Sequence, residues 1–387
     1  MIPRYLPPVY SPIRLPALLR AASRTSTFAG KASRQAIAEA LARRFGSHAV
    51  ALTDSGTSAL VLALRLAVGA GGTVAFPGYA CIDLAAAARF AGVRVRLYDI
   101  DPETLSPDLE SVARTLERGA SAIVVAHLYG YPSDVPAVSD VASRYGTTVI
   151  EDAAQGAGGT LGGTSLGAFG PLSVLSFGRG KGTTGGGGGA LMATSADWLE
   201  RIAATAVKLQ PHSHGFREIG GAAAQWLFGR PELYALPSAI PSLRLGDMVY
   251  HEAHEPAELS AGAAALVRSA LGLDKAELSA RRRNGAALLE AIDGSDVLPI
   301  RVIDGGTAGL LRFPVLSVNR EPDSRLGVLR GYPLTLAEQV ELRPSLCDEE
   351  GEQSGSLELR RSLFTLPTHS LLTVTDLSSL QAWLRAK

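Results

Sequence analysis

The sequence is poor in cysteine and aromatic residues, has no excess of either charge, and contains no long hydrophobic run at its start. Only two cysteines, Cys81 and Cys347, occur in 387 residues, so no disulfide scaffold can be built, and this usage fits a reducing compartment. Lys+Arg and Asp+Glu stand at 37 each, a formal net charge of +0. That balance lacks the basic surplus of a general nucleic-acid binder and the charge-rich composition of a disordered chain. The opening stretch MIPRYLPPVYSPIRLPALLR is broken by prolines and reads as neither secretion signal nor membrane span, so a soluble cytoplasmic protein is expected. Hydrophobic residues make up 46% and charged residues 19%, an ordinary globular balance. At about 150 residues per domain the length allows two or at most three domains.

Between residues 47 and 195, short β-rich runs alternate with helical-period segments, which predicts βαβ units and a mainly parallel sheet. The runs are Thr73 to Pro77, Val93 to Leu97, Ala122 to Ala126, Thr148 to Ile150, Leu172 to Ser176 and Ala190 to Met192. Helices are expected over Ser58 to Val68, Ile82 to Ala91, Pro107 to Arg118, Asp134 to Arg144 and Ala196 to Leu209. Asp134 before Pro136 fits a helix start, and Gly92 and Gly146 sit where C-terminal caps belong. Residues 210 to 256 read as a connecting excursion rich in Pro, Gly and His. Two helices, Leu259 to Leu271 and Lys275 to Ala291, follow it. A strand at Leu311 to Leu316 and a closing helix at Leu377 to Leu384 suggest a smaller α+β unit. The expected organisation is an N-terminal extension over 1–30, a large α/β domain over 31–250 and a small domain over 251–387.

Three segments sit at the carboxyl ends of expected strands, where open parallel sheets bind ligands. Thr53-Asp-Ser-Gly-Thr-Ser-Ala-Leu60 is a small-residue turn opening an apolar helix, suited to a phosphate or, more plainly, to an N-cap. Val149-Ile-Glu-Asp-Ala-Ala-Gln155 ends an apolar strand in two acids. Asp152 could hold a protonated ring nitrogen, with Gln155 on the same face if a helical turn follows; otherwise Asp152 caps that turn and Glu151 is solvated. The third segment carries Lys181 inside a glycine-rich loop, where a lysine can form a Schiff base or bind phosphate. Leu175 and Gly182 stand where a nucleotide phosphate loop needs Gly and Ser or Thr, so that motif is excluded. A phosphate turn, an acid, and a lysine 29 residues further on (181 − 152) are together what a pyridoxal phosphate site requires.

The pattern resembles the DegT/DnrJ/EryC1/StrS aminotransferase family. The motifs are Gly56-Thr-Ser-Ala-Leu60, Val125-Ala-His-Leu-Tyr-Gly130 followed by Asp134, Glu151-Asp-Ala-Ala-Gln155 and Ser176-Phe-Gly-Arg-Gly-Lys181, with weaker matches onward to Leu366-Pro-Thr-His369. The resemblance implies a fold-type I pyridoxal phosphate (PLP) transferase, with a large, mainly parallel seven-stranded α/β domain and a smaller C-terminal α+β domain. It further implies that Lys181 holds the cofactor's aldehyde and shuttles the proton, that Asp152 keeps the pyridine nitrogen protonated, and that Gln155 meets the ring 3-oxygen. Gly56, Thr57, Ser58 and Ser176 would cradle the phosphate. The ring-stacking position falls on Cys81, with Tyr79 two residues earlier. The partners implied are an amino donor, L-glutamate, and a nucleotide-linked keto sugar in sugar or secondary-metabolite biosynthesis, with no nucleic acid or membrane. Ping-pong kinetics and a homodimer follow from the same resemblance.

The sequence departs from the family in the glycine run 185–189, which lacks an acid. An inter-subunit segment is also missing, its region being occupied by Leu245 to Tyr250. Those departures motivate the alternative of a non-catalytic or regulatory homologue. The family's sugar dehydratase branch has histidine where this chain has Lys181. His212/His214 and His251/His254 lack the spacing of a zinc motif, and no metal site is expected. Arg281 to Arg283 read as a solvated helix face.

Overall fold

The computed structural model describes residues 4–23, 27–210, 214–246, 248–271, 274–347 and 353–386. His212, Asp247 and the first three residues of the expected extension lie outside the described residues.

The elements run α1 (Leu15–Ser23), α2 (Thr27–Phe45), β1 (Ala49–Thr53), α3 (Gly56–Ala67), β2 (Thr73–Pro77), α4 (Asp83–Ala91), β3 (Arg94–Tyr98), α5 (Leu109–Glu117), β4 (Ala122–Ala126), α6 (Val135–Ser143) and β5 (Thr148–Asp152). The short β6 (Thr160–Leu161) and β7 (Thr164–Ser165) precede β8 (Leu172–Ser176), β9 (Gly189–Ala193), α7 (Leu199–Lys208), α8 (Phe216–Phe228) and α9 (Ala235–Ser238). Then come α10 (Ala261–Ala270), α11 (Asp274–Ile292), β10 (Leu298–Pro299), β11 (Gly306–Thr307), β12 (Phe313–Leu316), β13 (Leu329–Arg330), α12 (Ser354–Ser362), β14 (Leu363–Leu366) and α13 (Val374–Arg385).

The main sheet has the order β1-β9-β8-β5-β4-β2-β3. Only β9 runs antiparallel, to both of its neighbours. The interior strand β4, Ala-Ile-Val-Val-Ala, is buried at every residue, as a strand covered on both faces requires. On one face of the sheet, six consecutive residues of α3, Ala59 to Leu64, are buried, with α3 packed mainly on β8 and β9. A second, antiparallel sheet in the order β10-β12-β14-β13 shares a core with α11 and α13. The seven-stranded, mostly parallel sheet and the C-terminal antiparallel sheet are the architecture expected from the resemblance.

Register then gathers the strand ends. Thr53 pairs with Gly189, and Gly189 with Ser176. Asp152 pairs with Val174 on one side and Ala126 on the other. The carboxyl ends of β1, β8, β5 and β4 therefore lie side by side.

Several local expectations change. The strand expected over 148–150 runs on to Asp152. Strand β1 was not among the expected runs, and α1 and α2 fell within or just beyond the expected extension. Helix α2 is built mostly from intrinsic helix formers and buries a narrow ridge at Ser33, Ile37, Leu41 and Phe45, every fourth residue, so its apolar signal is thin. The 210–256 excursion contains α8 and α9. Arg281 is not solvated: it is 3% exposed, pairs with Glu277 at 3.3 Å and donates to the Tyr10 carbonyl.

Candidate active site

The phosphate turn is organised from its cap. Ser55 is the N-cap of α3, its Oγ accepting from the Ser58 N–H at 2.9 Å and donating to the Ser58 hydroxyl at 2.8 Å. That leaves Gly56 and Thr57 lining the cavity at the positive end of the helix dipole. The approach is close: a Cβ on Gly56 would stand 2.7 Å from the Ser176 Cβ. One on Gly189 would stand 2.4 Å from the Ser55 carbonyl oxygen. Glycine at these two positions is what lets β8, β9 and α3 converge.

The two acids at the end of β5 part company because successive strand residues face opposite sides. Glu151 is fully buried, which corrects the solvated alternative. Its carboxylate accepts from the backbone N–H groups of Gly167, Phe169 and Gly170 at 2.5, 2.8 and 2.9 Å, and from His127 Nε2 at 2.8 Å. Burial pushes this carboxyl up, but the His127 bond and the N–H donors outweigh it and hold it below the ordinary value. His127 Nδ1 accepts from the Ser133 N–H at 3.0 Å, so the proton sits on Nε2. Asp152 lines the cavity and takes one internal bond, from the Ala154 N–H at 2.9 Å. Burial raises its pKa, against the pull of that bond and of Lys181. A turn, not a helix, follows it, with Gly156 N–H on the Ala153 carbonyl.

Lys181 lies in the loop joining β8 to β9. Phe177 pins that loop: its N–H donates to Gly188, and its carbonyl accepts from Gly185 N–H and Thr184 Oγ1. Gly182, at φ +78° and with no room beside Ala157, allows the chain to turn immediately after the lysine. The N-terminal segment reaches the same loop, where Ser11 Oγ accepts from Gly180 N–H at 3.1 Å.

The cavity, about 230 Å³, is lined by seven of the expected residues: Gly56, Thr57, Cys81, Asp152, Gln155, Ser176 and Lys181. Two others do not line it. Ser58 is buried beneath its cap, and Tyr79 is fully buried, its hydroxyl accepting from the Tyr332 N–H at 2.6 Å. Gln155 is held by the Tyr129 N–H on its oxygen at 3.1 Å and donates to the Tyr332 hydroxyl at 2.8 Å. Burial and the neighbouring Asp83 push the Cys81 thiol up, although Lys181 pulls it down, so it presents a neutral face. Sequence reasoning missed Ser55 and Asp83 as lining residues. Ser55 stands directly before the Gly-Thr-Ser turn, the ordinary place for an N-cap; Asp83 had no such signal. Among the described residues no cluster of three His, Cys, Asp or Glu is placed to hold a metal, and no helix is long and apolar enough to cross a membrane.

A helix N-terminus stripped of side-chain bulk, a half-enclosed acid with spare acceptor capacity and a loop amine in one cavity fit pyridoxal 5′-phosphate. Comparison with known proteins agrees. The profile of the DegT/DnrJ/EryC1/StrS aminotransferase family matches residues 16–226. A UDP-N-acetyl-3-dehydro-alpha-D-glucosamine 3-aminotransferase of Acidithiobacillus ferrooxidans is 34% identical over 148 residues, 38% of this chain and 40% of that one. An L-glutamine:2-deoxy-scyllo-inosose aminotransferase of Streptomyces kanamyceticus is 40% identical over 156 residues, 38% of this chain and 36% of that one. The matched part thus spans about two fifths of these relatives. The crystal structure of the sugar aminotransferase CalS13 from Micromonospora echinospora superposes with a TM-score of 0.74 at 22% identity, covering 100% of this chain and 99% of that one, which shows the fold. Fold and site define the class, the fold-type I PLP enzymes. The chain belongs to the DegT/DnrJ/EryC1/StrS aminotransferase family.

Proposed function

We propose that the protein is a PLP-dependent aminotransferase that moves the amino group of an amino acid, L-glutamate, to the keto group of a sugar-like acceptor. The observation that carries this reading is the meeting of Lys181 and Asp152 in one cavity with the N-terminus of α3. When bound, PLP supplies an aldehyde carbon and a ring that accepts electrons. The chain supplies the rest. Ser55, Thr57, Ser176 and the first turn of α3 bind the phosphate. Asp152 holds a proton at the ring nitrogen, and its low-dielectric setting strengthens that contact. Lys181 moves the proton at the donor's α-carbon. Gln155, clamped by Tyr129 and Tyr332, orients the ring oxygen. Donor and acceptor use this one site in turn, the basis of ping-pong kinetics. The family resemblance supports a homodimer, and the sparse cysteines support a cytoplasmic setting. The Streptomyces kanamyceticus relative is named for L-glutamine, so L-glutamine is the second donor to test.

The experiment is a single turnover. The PLP-loaded protein mixed with L-glutamate and no acceptor should release one equivalent of 2-oxoglutarate per site, and Lys181→Ala should release none at a comparable rate. No release from either donor by the wild-type protein would favour the non-catalytic homologue.

A further inference from the structure

Beside the cofactor cavity lies a second one of about 740 Å³, within the ~300–1,000 Å³ range of small-molecule sites. The two meet at Gln155, which lines the first, accepts from the N–H of Tyr129 and donates to the hydroxyl of Tyr332; both tyrosines line the second. Arg179, two residues before Lys181, also lines the second.

Its chemistry is two-sided. One wall is apolar and includes Phe228, Leu236, Ile240, Leu243, Met248 and Leu329, most of them contributed by the 216–248 excursion. The other side is cationic, with Arg179, Arg312 and Arg330, and among the described residues no Asp or Glu lines the cavity. Arg330 is already engaged, with Glu321 and over the Phe364 ring. Arg312 is not. It is 6% exposed, its Nη groups donate to the carbonyls of Pro8, Gly327 and Thr365, its Nε is buried without a partner, and among the described residues no carboxylate meets it. A buried guanidinium neutralised by no anion is costly, and an anionic ligand would remove that cost. Arg179 makes no ion pair among the described residues. The other polar side chains on the cavity are those of Gln225, Thr365 and four tyrosines, of which Tyr332 already accepts from Gln155 and Thr365 already donates to the Leu329 carbonyl.

We propose that this cavity is the acceptor site, and that its acceptor carries an extended apolar body on the Phe228–Met248 wall and one anionic group, carboxylate or phosphate, at Arg179 and Arg312. This body takes the place of the nucleotide expected from the family resemblance. The word acceptor rests on the aminotransferase reading; the ligand chemistry does not.

The test is calorimetric titration of the PLP-loaded protein with decanoate, decyl phosphate and dTDP, each below any micellar range. The two chain probes should bind, the tighter of them identifying the anion. Arg179→Ala and Ile240→Asp should each weaken them at least tenfold, and dTDP should bind more weakly than either chain. Ile240 is half exposed, so its substitution leaves the core intact. The inference is overturned if dTDP binds more tightly than the chains, or if Ile240→Asp leaves chain binding unchanged. It is equally overturned if Ile240→Asp instead changes the oligomeric state on size exclusion, which would make this wall an interface between copies. Release of 2-oxoglutarate from L-glutamate does not need this wall. Release without probe binding therefore sinks this inference alone, and probe binding without release sinks the aminotransferase reading alone.

Discussion

His127 donates its Nε2 proton to Glu151 at 2.8 Å in a fully buried pair, and this bond assigns different roles to two adjacent acids. Glu151 faces away from the cavity and ties His127 at the end of β4 to the turn at 167–170. Asp152, one residue on, is left to face the ligand.

The two acids should therefore fail differently. Glu151→Ala orphans three backbone N–H groups and His127 Nε2 in a buried site, and should cost about 3–5 kcal/mol, read as a lower midpoint in urea. Asp152→Asn keeps the shape and should leave that midpoint within about 1 kcal/mol. It should slow release of 2-oxoglutarate at least ~100-fold, in the range of proton-transfer catalysis.

Gly56→Ala places a methyl against Ser176, in the phosphate cradle. Overpacking should destabilise the apoprotein by about 1–3 kcal/mol. PLP affinity, measured by fluorescence titration, should fall at least tenfold. Unchanged PLP affinity would place the phosphate elsewhere.

Ser55→Ala removes the N-cap of α3 and one cavity-lining hydroxyl. Thermal unfolding should report a loss of about 0.5–2 kcal/mol, while Ser55→Asp, which caps as well but brings a negative charge to the cradle, should restore stability and still bind PLP poorly.

His369 supplies a pH dependence. It is buried, with Nε2 donating to the Pro7 carbonyl at 2.9 Å. Burial lowers its pKa from 6.5 to about 4, helped by Arg281 and Arg312 against the Pro7 bond. Between these values the unfolded chain binds a proton that the folded chain does not, so stability is full above about pH 6.5 and is lost as pH falls toward 4. Over that window the loss is at most ~3 kcal/mol. Melting temperatures should fall from pH 7 to pH 4.5, and His369→Gln, which keeps a donor for Pro7 without titrating, should flatten that fall.

The sheet was legible because its inner strands are short, mostly apolar runs bounded by glycine and helical segments; Thr73–Pro77, Ala122–Ala126 and Leu172–Ser176 emerge with the expected limits. Placing three segments at the carboxyl ends of strands, as the βαβ pattern suggests, was enough to bring Thr57, Asp152, Ser176 and Lys181 together, although the strand order itself was not legible. What stayed hidden depends on distant pairing. Glu151 reads like its neighbour until the 167–170 turn folds back on it. Arg281 looks like one of three surface arginines until Glu277 and the Tyr10 carbonyl enclose it. Ser58 matches a phosphate motif, but Ser55 claims both its N–H and its hydroxyl.

The measurement that bears most directly on the account is the site of covalent attachment. The protein incubated with PLP, reduced with borohydride and digested should carry the phosphopyridoxyl group on the peptide containing Lys181, and Lys181→Ala should carry none. A label spread over Lys31, Lys208 and Lys275, or no label at all, would contradict it.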